Sequence, residues 1–267
     1  MKLNKIYFSA AGTTKRVVEA IAEGVASIVA NVETVDFPLI KMNCEGATIA
    51  KEDLAIFAIP VYAGRVPAIA AEQIRRFKSE GARAILVAVY GNREYDDALL
   101  ELSDIVTRCG FVPVAAGAFV AEHSIFPKVA FRRPDESDVQ KAKEFGAKAA
   151  LIMPTCEPLQ VPGNNPYKIP KGGNPLIPRT NKSKCIKAVK KDKDLCGICA
   201  AVCPVGAIGS PKPSTDSDKC IKCAHCIAVC PYDAREWGGL LYKMAERKFV
   251  GAYAEPRKEP SLFYLGE

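Results

Sequence analysis

The chain has 267 residues, 49% of them hydrophobic, with 11 cysteines and 37 Lys and Arg against 30 Asp and Glu, a net charge of +7. That composition excludes a largely disordered chain, because ample apolar surface is available to offset chain entropy. No charge-free apolar run reaches the roughly 18–20 residues of a membrane-spanning helix.

The opening residues MKLNKIYFSA lack the apolar core and cleavage site of a secretory signal. A cytoplasmic location is therefore expected, where thiols stay reduced and a high cysteine count points to metal or cluster chemistry before disulfides. The two parts of the chain differ. Through Thr155, 19 Lys and Arg balance 19 Asp and Glu; from Cys156 onward, 18 face 11, so the whole excess lies there, with nine of the 11 cysteines.

The first 155 residues alternate strand-like and helix-like runs. Lys5 to Ser9 reads as a strand, and Thr14 to Ile28 as a helix on the spacing of Val17, Val18, Ile21, Val25 and Ile28. Glu33 to Phe37 is a second strand. Leu54 to Ile59 is a third, continuously apolar as in a strand covered on both faces. A helix is expected from Pro67 to Ser79, a strand from Ala84 to Tyr90, a helix from Tyr95 to Cys109, a strand from Val112 to Val120, and a closing helix from Asp135 to Met153. This alternation predicts a doubly wound α/β domain over residues 1–153, with five parallel strands in the order 2-1-3-4-5. Ligands of such a sheet bind beyond the carboxyl ends of its strands.

Residues 154–180 hold prolines at 154, 158, 162, 166, 170, 175 and 178, which forbid regular structure and predict a linker or extended strap. A cysteine block then occupies 181–238, and 239–267 forms a tail with the apolar run Leu262-Phe263-Tyr264-Leu265, left as either a free end or a docked one.

Within the block, Cys220-Ile-Lys-Cys223-Ala-His-Cys226-Ile-Ala-Val-Cys230-Pro231 has the C-x2-C-x2-C-x3-C-P spacing of bacterial [4Fe–4S] sites. Cys185-Ile-Lys and Cys196-Gly-Ile-Cys199-Ala-Ala-Val-Cys203-Pro204 repeat it with eight extra residues, Ala188 to Leu195. Paired C-x2-C elements also build zinc sites, but zinc needs no C-x3-C-P and leaves the duplication unexplained. The block resembles the two-cluster, eight-cysteine ferredoxins, a small α+β fold. Their crossed ligation implies one cluster on Cys185, Cys196, Cys199 and Cys230, and a second on Cys203, Cys220, Cys223 and Cys226. The ten-residue gap between Cys185 and Cys196 departs from that family; a three-iron cluster is the alternative if Cys185 cannot reach. Cys44, Cys109 and Cys156 read as ordinary thiols and His225 as an exposed spacer. Lys187, Lys190, Lys191 and Lys193 read as a solvated loop or as a docking patch for an acidic redox partner.

After the first strand comes Ser9-Ala10-Ala11-Gly12-Thr13-Thr14, hydroxyls and a glycine at a helix start, which is an anion-binding arrangement. Placed there in a five-strand α/β domain, it resembles the phosphate loop of flavodoxins. The resemblance implies bound FMN, with Pro60, Tyr62, Ala63 and Gly64 after the third strand and Gly91, Asn92, Arg93 and Tyr95 after the fourth holding the flavin ring, Tyr62 and Tyr95 being the matching aromatics. Ala11 replaces the usual threonine, and Arg93 puts a cation where flavodoxins keep acidity. Glu122, His123 and Ser124 follow the fifth strand and are either site or structural residues.

The resemblance as a whole is to a flavodoxin–ferredoxin fusion, which implies an electron carrier with FMN and two [4Fe–4S] clusters that serves protein redox partners. A flavin-dependent reductase of a quinone or disulfide is the alternative. No aromatic–basic motif supports a nucleic-acid partner, and no nucleophile, base or triad is evident.

Overall fold

Leu54 to Ile59 offers no polar side chain to solvent, and the computed structural model places it at the centre of a sheet covered on both faces. The structure describes residues 1–40, 45–155, 157–169, 175–186, 196–210 and 213–267. Cys44, Cys156, the inserted loop and its lysines 187, 190, 191 and 193 lie outside them. The first domain comprises β1 (Lys2–Tyr7), α1 (Thr13–Ile28), β2 (Glu33–Pro38), β3 (Thr48–Ile49), β4 (Leu54–Pro60), α2 (Ala68–Ile74), β5 (Lys78–Ser79), β6 (Arg83–Tyr90), α3 (Ala98–Arg108), β7 (Val112–Val120) and α4 (Glu136–Ala150). The parallel strands run β2-β1-β4-β6-β7, the order expected of this wound sheet.

Strand alternation divides the core. Leu54, Ile56 and Ala58 face Val17, Val18, Ile21 and Val25 of α1 and Phe145 and Ala149 of α4. Ala55, Phe57 and Ile59 face Ile74 of α2 and Leu99, Leu102 and Val106 of α3. Each fully buried Leu, Ile or Phe contributes about 1.5–3 kcal/mol by leaving water. Helices α1 and α4 cross so closely that a Cβ on Gly24 would lie 2.0 Å from the Lys143 oxygen, and one on Gly146 2.1 Å from that of Ile21.

Three features differ from, or decide between, the sequence expectations. The helix predicted to reach Ser79 stops at Ile74, because Phe77 is drawn into the core and Lys78–Ser79 pairs with Thr48–Ile49 as a short strand. Residues 157–169 of the proline-rich stretch run beside α3. Leu159 is buried in the core, and the buried carboxylate of Asp97 accepts hydrogen bonds from the Asn164 amide (2.8 Å), its side-chain nitrogen (2.7 Å) and the Lys168 amide (2.6 Å).

Finally, the tail docks. After β8 (Arg179–Thr180), α5 (Ile198–Ala201), α6 (His225–Ala228), β9 (Arg235–Glu236) and α7 (Leu240–Tyr253), the strand β10 (Ser261–Tyr264) pairs antiparallel with β7 and adds a sixth strand to the sheet. The segment leading to it is fixed by a buried bidentate pair, Arg133 with Asp138, whose guanidinium also donates to the Lys258 oxygen. Arg257 reaches Asp135 and Asp138 alongside. Among the described residues no helix is long and apolar enough to cross a membrane.

Candidate redox site

A cavity of about 640 Å³ opens at the carboxyl ends of β1, β4, β6 and β7, within the size range of cofactor pockets. Ala10, Ala11, Thr13 and Thr14 line it from the β1–α1 loop, Pro60, Tyr62, Ala63 and Gly64 from the loop after β4, and Gly91 and Arg93 from the loop after β6. Gly12, at φ 88°, turns the chain into α1 and has no side chain with which to cap it. Of the first-turn amides, that of Lys15 donates to Ser9 Oγ, and those of Thr13 and Thr14 are placed to receive an anion. Ala63 (φ 52°) and Gly64 (φ 80°) both adopt the left-handed region in a tight turn closed by hydrogen bonds between Tyr62 and Arg65.

Four predicted residues turn elsewhere. Ser9 Oγ accepts from the Lys15 amide at 3.0 Å, and Gly12 serves the turn. Asn92, buried at φ 58°, donates to the Tyr253 and Pro256 oxygens (2.7 and 3.1 Å) and so holds the tail. Tyr95 packs edge-on against Tyr90. Arg93 lines the cavity as a cation, and its guanidinium is paired with Asp96.

Glu122, His123 and Ser124 do line the cavity, with Phe126 and with Phe249 of α7. His123 Nδ1 accepts from the Ile125 and Phe126 amides (3.1 and 3.2 Å), and its ring packs on Phe249 at 4.7 Å. Burial, aided by the Arg93 charge, lowers its pKa to about 4, so it is neutral at pH 7. The Trp237 indole donates to the Ser124 oxygen at 2.8 Å.

The cavity also has a wall that the sequence did not disclose: Ile221 and Lys222, which lie between Cys220 and Cys223. Beside them, His225 is half-buried, and its Nδ1 sits 2.6 Å from the Ala10 oxygen. This corrects the reading of His225 as an exposed spacer. The Tyr62 hydroxyl is pushed well above its usual pKa by burial and by the neighbouring Cys223.

The repeat in the cysteine block is a repeat in structure. The one-turn helices α5 and α6 carry Cys199 and Cys226, and the amides of Ala207 and Ala234 donate to Cys203 Sγ and Cys230 Sγ, each at 3.2 Å. Cys203, Cys220, Cys223 and Cys226 line a single small cavity with Pro178, Ile208 and Thr215. Burial raises the Cys223 thiol to about 12, with Cys226, Cys203 and Cys220 adding to the shift. Cys199, also raised by burial, has Cys196 and Cys230 as neighbours. Cys185 is half-buried, its amide bonded to the Asn181 oxygen. Cys109 is buried against the Ile74 oxygen, as befits an ordinary core thiol.

A thiol-rich donor set with a buried guanidinium, Arg235, whose Nε has no protein acceptor fits an anionic iron–sulfur group. The cavity at the α1 N-terminus likewise fits an anionic cofactor of flavin size.

Comparison with known proteins agrees on the cysteine block. Residues 194–234 match the family model of a 4Fe-4S dicluster domain; Cys185 lies outside the match. A 45-residue stretch is 47% identical to one of the subunits of the selenate reductase of Mesobacillus selenatarsenatis, covering 15% of this chain. The chain spans only 15% of the length of that relative.

Among solved structures, a flavodoxin from the domain Archaea aligns with 17% identity and a TM-score of 0.39 over 56% of this chain and 96% of its own. A flavodoxin of Streptococcus pneumonia aligns with 14% identity and a TM-score of 0.39 over 56% of this chain and 98% of its own. The fold assignment rests on the strand order β2-β1-β4-β6-β7, not on these alignments. The chain therefore joins an α/β domain with the flavodoxin-like strand order to a cysteine block that matches the 4Fe-4S dicluster domain over residues 194–234.

Proposed function

We propose that the chain is an electron carrier in which FMN occupies the 640 Å³ cavity and two [4Fe–4S] clusters occupy the cysteine block. Cys185, Cys196, Cys199 and Cys230 would hold one cluster, and Cys203, Cys220, Cys223 and Cys226 the other. When bound, FMN takes up one or two electrons and each cluster one, so that one-electron donors can serve a two-electron acceptor. The observation that carries this reading is the shared wall: Ile221 and Lys222, flanked by two of the second set of cysteines, line the same cavity as the β1–α1 loop.

Thr13, Thr14 and the first amides of α1 would hold the phosphate, and Tyr62 and Gly64 would border the ring. Arg93, neutralised by Asp96, would leave the ring's surroundings less cationic than its sequence position suggests. Partners would be redox proteins, with acidic surfaces complementing the basic C-terminal part.

The test is anaerobic purification followed by iron, sulfide and flavin analysis. The reading expects about eight irons and one FMN per chain; colourless protein, or brown protein without flavin, overturns it. The half-buried, neutral His123 in the cavity wall favours a second reading, a flavin-dependent reductase of a quinone or disulfide. Turnover of either oxidant with a chemical reductant separates the two.

A further inference from the structure

The two halves of the cysteine block differ at a place that matters for charge. Aligning Cys199-Ala-Ala-Val-Cys203-Pro-Val-Gly-Ala-Ile208 with Cys226-Ile-Ala-Val-Cys230-Pro-Tyr-Asp-Ala-Arg235 sets an arginine opposite an isoleucine. Both positions are buried, and Arg235 is only 3% exposed.

The Arg235 guanidinium donates to Thr180 Oγ1 (2.6 Å) and the Pro213 oxygen (2.9 Å), and to Thr215 Oγ1 (2.5 Å) and the Pro178 oxygen (3.1 Å). All of these acceptors are neutral. Its remaining contact is Cys226 Sγ at 3.8 Å, and its Nε has no protein acceptor. Among the described residues none of its hydrogen bonds goes to a carboxylate. A buried cation without a counter-charge is costly, and arginine cannot discard its proton to escape that cost. The counter-charge is therefore left to the cysteine sulfurs. Of the cysteine sulfurs, it is hydrogen-bonded to Cys226 alone.

We propose that Arg235 is a positioning residue that orders the two clusters, making the one on Cys203, Cys220, Cys223 and Cys226 the easier to reduce, so that electrons run toward the cavity. This rests on the two-cluster reading above. Reduction adds one negative charge to a cluster, and hydrogen bonds to its sulfurs together with net charge set its potential. A fixed cation bonded to one ligand sulfur favours the reduced form of that cluster over the other. The spatial arrangement agrees: the favoured set encloses Ile221 and Lys222, which line the cavity. In the step itself, an external one-electron donor would reduce the cluster on Cys185, Cys196, Cys199 and Cys230. That electron then passes to the second cluster, the first returns to its oxidised form, and no bond breaks.

The test uses the anaerobic, cluster-loaded full chain with dithionite as donor, after iron and sulfide analysis. Paramagnetic NMR of the assigned cysteine β-protons reads where the first electron resides. In the wild type, the first electron is expected to shift the Cys220, Cys223 and Cys226 signals before those of Cys196 and Cys199. Arg235→Lys is expected to keep that order, and Arg235→Leu to abolish it, both sets then shifting together. Wild-type protein with about eight irons whose first electron resides on Cys196 and Cys199, or divides equally, overturns the inference alone. A wild-type iron content near four overturns the two-cluster reading, and the inference with it. The wild-type experiment can overturn the inference even if Arg235→Leu does not fold.

Discussion

His225 Nδ1 lies 2.6 Å from the backbone oxygen of Ala10, tying the loop between two ferredoxin-type cysteines to the loop that opens α1. A carbonyl oxygen only accepts, so Nδ1 carries the proton. The bond joins segments 215 residues apart and braces the β1–α1 loop that lines the cavity. His225→Ala removes it at a net cost of about 1 kcal/mol. On the proposed reading, the FMN dissociation constant should rise about fivefold, as read by flavin fluorescence during reconstitution of flavin-stripped protein. An unchanged constant would show that the brace does not bear on the cavity.

Ala11 lines the same loop without a hydroxyl. Ala11→Thr should supply one hydrogen bond to a bound phosphate, about 1–2 kcal/mol, and tighten FMN by about 5- to 30-fold. Equilibrium dialysis of the variant beside the parent measures the difference directly.

His123 titrates abnormally, with burial as the main cause and the Arg93 charge as a further one. Its folded pKa of about 4 lies below the ordinary value of 6.5, so between these values the unfolded chain binds more proton than the folded one. The stability this contributes is complete above about pH 6.5 and is lost as the pH falls toward 4. The full loss is on the order of 3 kcal/mol. NMR of the His123 ring should show a midpoint near 4, and His123→Gln should flatten the dependence of urea midpoint on pH over that window. A normal midpoint near 6.5 would contradict the burial of the ring.

Two helix glycines should respond to alanine in opposite directions. Gly146 in α4 meets the Ile21 oxygen at 2.1 Å if given a Cβ, whereas Gly251 in α7 has nothing within 4 Å. Gly146→Ala should destabilise by about 1–3 kcal/mol through overpacking, and Gly251→Ala should stabilise by about 0.5–1 kcal/mol through chain entropy and helix propensity. Thermal unfolding of the two variants, compared with the parent, checks both signs.

Much of the fold was legible because its signals are local. The unbroken apolar run of β4 announces a strand covered on both faces, and the helical spacing from Val17 to Ile28 places α1 to within a residue. The cysteine spacing and its repetition announce the second domain in the same way. What escaped depends on partners distant in sequence or on backbone twists. His225 meets Ala10 only after the domains pack, and Ile221 and Lys222 carry no mark of facing a cavity. Asn92 looked like a ring contact, yet its left-handed backbone turns the side chain to the tail. The pairing of Arg93 with Asp96, three residues on, forms in a turn outside any helix, where spacing alone does not announce it.

The strand Ser261–Tyr264 covers β7 although the whole cysteine block separates the two in sequence. During synthesis β7 therefore waits as a bare edge, with hydrogen-bonding groups ready for any other chain, until the metal-binding stretch has already left the ribosome. A product truncated anywhere in that stretch never seals its sheet. Loss of the final strand would then be felt as aggregation of the α/β domain, well before any redox defect could be measured.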